Sequence, residues 1–265
     1  MLHIGPQSLQ SSLNAALGTA CLATLYAAFT AVCIPGPRLV NYFEPKWAMV
    51  IGGTCYVLMI LANIPILHLE GHLTAQYAIG IPFNFLVGVG APLLWTGQAL
   101  YLSRTAELHV RHIGGGKAEQ MATLSSFNAT FFAMFQANGV VGLLFASLLK
   151  TFVKGDNVTT ILFIILSIAA ALGVFILSGL PSCPAIKSEN LAASLEDPTA
   201  EDEDETDISI AETLNFMVTE PKLYFFIPIV LFNGMSLGFM FSGISLIYIT
   251  RFQPQPIPNP DIPHC

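Results

Sequence analysis

Residues 47–67 read WAMVIGGTCYVLMILANIPIL, a stretch without a single Asp, Glu, Lys or Arg. At about 1.5 Å of rise per residue it matches the roughly 30 Å hydrocarbon core of a bilayer. Its apolar residues run continuously instead of alternating, as a lipid-facing helix requires and a barrel strand does not. A backbone inside lipid has no water to bind, so a helix that satisfies its own N–H and C=O groups is the solution left.

Working outward, comparable runs lie at about 13–34, 77–102, 125–150, 159–180 and 223–249. Six transmembrane helices are therefore expected, and the fold class is an all-α multi-pass membrane protein. Composition agrees. Of 265 residues, 54% are hydrophobic and 10% charged, whereas a soluble domain carries about 25% charged residues. The first partner of such a chain is the lipid bilayer, and plasma membrane and endomembrane are not distinguished by span lengths of this spread.

The net charge of −7 is an average over two unlike parts. Eleven of the seventeen acids fall between Glu189 and Glu220, a stretch with no Lys or Arg, so the remainder of the chain holds ten bases against six acids. Nothing here forms a basic surface for nucleic acid. Counting Lys and Arg over alternate connections puts Arg38, Lys46, Arg104, Arg111, Lys117, Lys187 and Lys222 on one side. Lys150, Lys154 and Arg251 lie on the other, so the 35–46, 103–121 and 181–222 connections are expected in the cytosol. Both termini then face outward, which points to a segment missing ahead of residue 13.

Four regions follow. Residues 1–182 form an N-terminal transmembrane half with five helices, 223–249 a further span, and 250–265 a proline-rich tail. Between them, 183–222 is an acidic central loop too polar to bury a core, with 183–206 disordered. Ser209 and Glu212 fit a capping box, and Ile210, Leu214 and Met217 follow at helical spacing, so 209–219 reads as a short amphipathic helix.

No span has an ionisable residue near its centre, which removes the usual means of coupling a carrier to ions or protons. The polar side chains available are neutral: Asn63, Asn84, Thr96, Gln98, Asn128, Gln136, Asn138 and Asn233. Asn84, Trp95, Gln98, Tyr101, Asn128 and Gln136 are the candidates for lining a cavity or joining helices, interhelical hydrogen bonding being the commoner use. Trp95, Gln98 and Tyr101 recur at helical spacing, whereas Gln136 and Asn138, about 200° apart, cannot share a face. Gly139, Gly142, Gly234 and Gly238 are candidate packing positions, since small residues let membrane helices approach closely. Asn157-Val-Thr159 fits a glycosylation acceptor, though it lies close to the bilayer. His109 and His112 lack further ligand spacing, and the five cysteines form no disulfide or metal pattern. No catalytic constellation, cofactor or metal is expected, and the chain reads as no enzyme.

Certain segments resemble a known family. Leu17-Gly18-Thr19 with Leu25-Tyr26 and Phe29, the stretch from Leu93 through Trp95, Gly97, Gln98 and Tyr101 to Leu102, and Phe127-Asn128 with Phe132-Ala133-Met134-Phe135 and Gly139 resemble the uncoordinated-93-like family, a branch of the major facilitator superfamily. The resemblance covers about 7–180 well and 209–249 more loosely. It implies a twelve-helix fold in two halves, of which the six runs here correspond to helices two through seven. The expectation is thus a partial major-facilitator fold, truncated at both ends. It also implies a regulatory or trafficking partner of another membrane protein, a potassium channel or an innate immune receptor. Three readings stay open: a partner of another membrane protein or of a second copy of the chain, a facilitator of a small solute with Asn84, Gln98, Asn128 and Gln136 lining its path, and an inactive gene-model fragment.

Overall fold

The computed structural model describes residues 15–69, 71–152 and 157–182, together with the isolated positions 215, 219, 228, 231 and 232, all helical. The remainder of the acidic loop, of the 209–219 and 223–249 segments and of the tail lies outside the described residues. Among the described residues six continuous helices follow in order: α1 (Ala15–Cys33), α2 (Gly36–Phe43), α3 (Pro45–His68), α4 (Leu73–Ile113), α5 (Lys117–Phe152) and α6 (Val158–Ser178). All but α2 are long and apolar enough to cross a bilayer. Among the described residues there is no strand, and the protein is an all-α, multi-pass membrane protein.

Two features go beyond the apolar runs. The 35–46 connection contains α2, which turns Val40 into a cluster with Ala48 and Leu93 and sets Gly36 beside Pro92 and Thr96. Pro45 then opens α3, and Glu44 before it takes φ 64° and ψ 147°. The ψ suits a residue preceding proline, while the positive φ is a conformation non-glycine residues rarely adopt.

The second feature is α4, whose 41 residues would span about 60 Å. It runs unbroken through Pro82 and Pro92 and continues past the end of its apolar run to Ile113. Most of the expected 103–121 connection is therefore helical. Polarity marks where the membrane ends, not where the helix does, and Glu107 and Arg111, four residues apart, pair at 2.8 Å on the surface of its extension. The real stop is Gly114, at φ 71°, with the Gly115 N–H returning to the Val110 carbonyl at 3.0 Å.

The tight part of the bundle is α1, α3 and α4. Among the described residues, the α3–α4 contact is the most extensive. It rests on Gly52 and Gly90: a Cβ at Gly52 would fall against the Gly90 carbonyl, and one at Gly90 would come within 2.7 Å of the Cys55 Cβ. Gly88 does the same for α1, where a Cβ would meet the Leu25 carbonyl at 2.5 Å. Over this seam Leu25, Tyr56, Met59, Val87 and Ala91 form one core cluster. α6 joins α3 through Ile60, Leu162, Phe163 and Leu166. By contrast α5 and α6, although consecutive, barely touch.

Arg38, Lys46, Arg104, Arg111 and Lys117 gather at one end of the bundle, at the α1–α3 and α4–α5 links. The Tyr101 hydroxyl donates to the Pro181 carbonyl at 3.2 Å, which brings the far end of α6 to this same basic end.

Candidate functional site

The α5–α6 separation opens a cavity of about 410 Å³ in the half of the bundle next to the basic end. Its back wall is α3, with Met49, Gly53, Tyr56 and Ile60. α4 contributes Leu94, Trp95 and Gln98, α5 contributes Phe131, Phe135 and Asn138, and α6 supplies Ala169, Ala170, Gly173 and neighbouring aliphatics. No charged residue lines it.

Trp95 is the hub. Its ring meets Phe135 edge-on at 5.3 Å and Phe131 at 6.4 Å, while Phe131 and Phe135 lie nearly parallel, 14° apart. Edge-to-face geometry places the positive rim of one ring on the negative face of another, so these contacts hold α5 to α4 without a polar group. A side-chain hydrogen bond also links Trp95 to Tyr56. The indole N–H is the only donor Trp carries, so the Tyr56 hydroxyl accepts it. Gln98 lies one turn along α4 from Trp95. Its side-chain amide makes no hydrogen bond to another described residue.

The other candidates disperse. Asn84 is buried away from the cavity: its amide nitrogen donates to the Gly80 carbonyl of its own helix at 2.9 Å, and its oxygen is unpartnered among the described residues. Asn128 is half-buried on α5 outside the cavity lining, and Gln136 is exposed. Asn138 lines the cavity, so the two-residue offset from Gln136 does turn the two amides to different sides. Tyr101 holds Pro181 beneath the cavity. Gly139 meets nothing within 4 Å, and Gly142 is half-buried. Gly234 and Gly238 lie outside the described residues. Asn157 is exposed immediately ahead of α6. Tyr56, Phe131 and Phe135 join the site without any mark in the sequence, because an aromatic side chain inside an apolar run carries no signal of its own. Among the described residues, no three His, Cys, Asp or Glu side chains cluster as metal ligands.

The family model for the ion channel regulatory protein UNC-93 matches residues 10–251. The chain belongs to the UNC-93 family. It is 35% identical over 148 residues to the bovine protein unc-93 homolog A, covering 54% of this chain and 30% of that relative. UNC93-like protein 3 of Arabidopsis thaliana is 28% identical over 173 residues, or 64% of this chain and 35% of the plant protein. A Caenorhabditis elegans relative, whose name assigns it provisionally to potassium channel regulation, is 26% identical over 149 residues, or 56% of this chain and 19% of its own. The chain thus spans about a third of the bovine and plant UNC-93 relatives it matches. No solved structure matches it. All five long helices of the described residues, and the cavity between them, fall inside the UNC-93 match.

Proposed function

We propose that this chain is a non-enzymatic regulatory or trafficking partner of another integral membrane protein, an ion channel and specifically a potassium channel. The single observation that carries the reading is membership of a family described as ion channel regulatory, over nearly the whole chain. Two physical features support it. The apolar spans carry no central ionisable group with which to couple a solute to an ion gradient. The outer face of α5 is apolar, with Met134, Val141, Leu144, Phe145 and Leu148 all exposed at helical spacing. In lipid, such a face gains from packing against another helix without any polar recognition. The acidic 183–222 segment, with eleven acids and no Lys or Arg between Glu189 and Glu220, would offer such a partner a charged contact.

The test is co-expression of the full chain with a potassium channel. Expected is a changed whole-cell current, or changed surface delivery, at constant channel expression, with no solute flux in liposomes containing the purified chain. Flux without any effect on a co-expressed channel would overturn the reading. The cavity favours a second reading, a facilitator of a small neutral solute, which that flux result would support.

A further inference from the structure

We infer that the cavity between α3, α4, α5 and α6 is a lateral lipid site that takes one acyl chain of a phospholipid from the leaflet at the basic end. The inference is independent of the proposed regulatory role.

The mouth of the cavity lies along α6. Ala169, Gly173 and Ile176 line the cavity and are also exposed, and at positions i, i+4 and i+7 they share one face of that helix. They extend over about 10 Å. Ala169 is near the middle of α6 and Ile176 near its end, which the Tyr101–Pro181 bond holds at the basic end. In a bilayer with about 15 Å of hydrocarbon in each leaflet, this mouth faces the tails of one leaflet, from the midplane towards the headgroups.

Volume and chemistry decide what fills it. Left empty, a cavity of about 410 Å³ would forfeit packing around its whole lining, a loss comparable to the stability of an entire domain. Filled with water at about 30 Å³ per molecule, it would take about a dozen waters, each needing about two to four polar partners. Of its lining residues only Tyr56, Trp95, Gln98 and Asn138 carry polar side-chain groups, and Trp95 and Tyr56 bond to each other. No charged residue lines the cavity, so an ion or a charged headgroup would enter without compensation for its lost hydration. A transmembrane helix fills about 420 Å³ per turn, and the mouth is about two turns long, so a helix would need about twice the room.

Hydrocarbon remains, and the lining suits a flexible chain. The Trp95 ring stands at 88° to Phe131 and at 79° to Phe135, and Met49, Val174 and Leu177 add side chains of unequal length. A chain that can turn about each of its bonds fills so irregular a wall, and a rigid ring system does not. The chain stays tethered to a headgroup in its own leaflet and gives up little translational freedom. Dispersion contact with the lining is then enough to hold it.

The experiment uses the full chain carrying Trp47→Phe, which leaves Trp95 as its one tryptophan. Bromine on a lipid chain quenches an indole only on contact, so emission is compared in nanodiscs of plain and of chain-dibrominated phosphatidylcholine. Expected is the loss of most of the Trp95 emission in the brominated discs. Gly173→Leu, at a position where nothing lies within 4 Å, and Ala169→Leu each add a branched side chain at the mouth and should restore most of that emission. An unquenched Trp95, shielded by a second copy or by another segment of this chain, would overturn the assignment. So would quenching that neither leucine variant relieves. Relief by cholesterol beyond its dilution of the brominated lipid would mark a sterol site instead, and quenching by aqueous iodide a water-filled cleft; either result also overturns it.

Discussion

The seam between α3 and α4 and the gap between α5 and α6 are built from the same kinds of residue with opposite results. In the seam, Gly52 and Gly90 let two backbones meet, and half of the α3 span is buried. In the gap, Gly173 of α6 faces open space and none of the described α5 span is buried. In lipid the hydrophobic effect does not press helices together, so contact depends on how closely their surfaces fit. The difference teaches that a small residue creates a close approach only when its partner helix presents a complementary one. Where it does not, the missing side chain becomes volume that a ligand or partner can fill.

The largest expected effect breaks the seam directly. Gly90→Leu drives a side chain into Cys55 and should cost about 3 kcal/mol, read as a lower unfolding midpoint in detergent. Gly139→Leu, where nothing lies within 4 Å, should stay within about 0.5 kcal/mol. Equal effects would erase the contrast between the two regions. Next is Trp95→Ala, which removes two ring contacts and the link to Tyr56. A loss of about 2 kcal/mol is expected. The loss should appear first in α5, as faster protease cutting at Gly114–Gly116, while α1 and α3 stay protected.

Tyr101→Phe removes the bond to Pro181 and should cost about 1 kcal/mol in the same unfolding assay. The smallest effect belongs to Asn84→Leu. The Asn84 amide bonds only within its own helix and its oxygen is unpartnered among the described residues, so a change within about 0.5 kcal/mol is expected. A larger loss would show that Asn84 holds a group beyond the described residues.

The spans were legible in the sequence because lipid imposes one rule on every residue between two charged ends. The run at 47–67 differs from α3 by only a few terminal residues. The end of α4 was not legible in this way: the Arg104–Arg111 segment is polar enough to read as a loop, yet a helix has no need to stop where the bilayer does. The site was half legible. Trp95 and Gln98 stood out because aromatic and amide side chains recur there at helical spacing. Tyr56, Phe131 and Ala169 did not, because a cavity wall made of apolar residues has the same composition as a packed interface. Which of the two a residue joins is decided by the distance between helices, and no single helix encodes that distance.

The most direct test of the tight and loose regions is a pair of distance distributions from spin labels, measured in nanodiscs by double electron–electron resonance. One pair replaces Leu58 on α3 and Phe85 on α4, and the other Met134 on α5 and Ile168 on α6, all four exposed on the bundle surface. Regions with few buried contacts open at lower free energy. The structure therefore predicts a narrow distribution for the first pair and a broad one for the second. Two equally narrow distributions would contradict it.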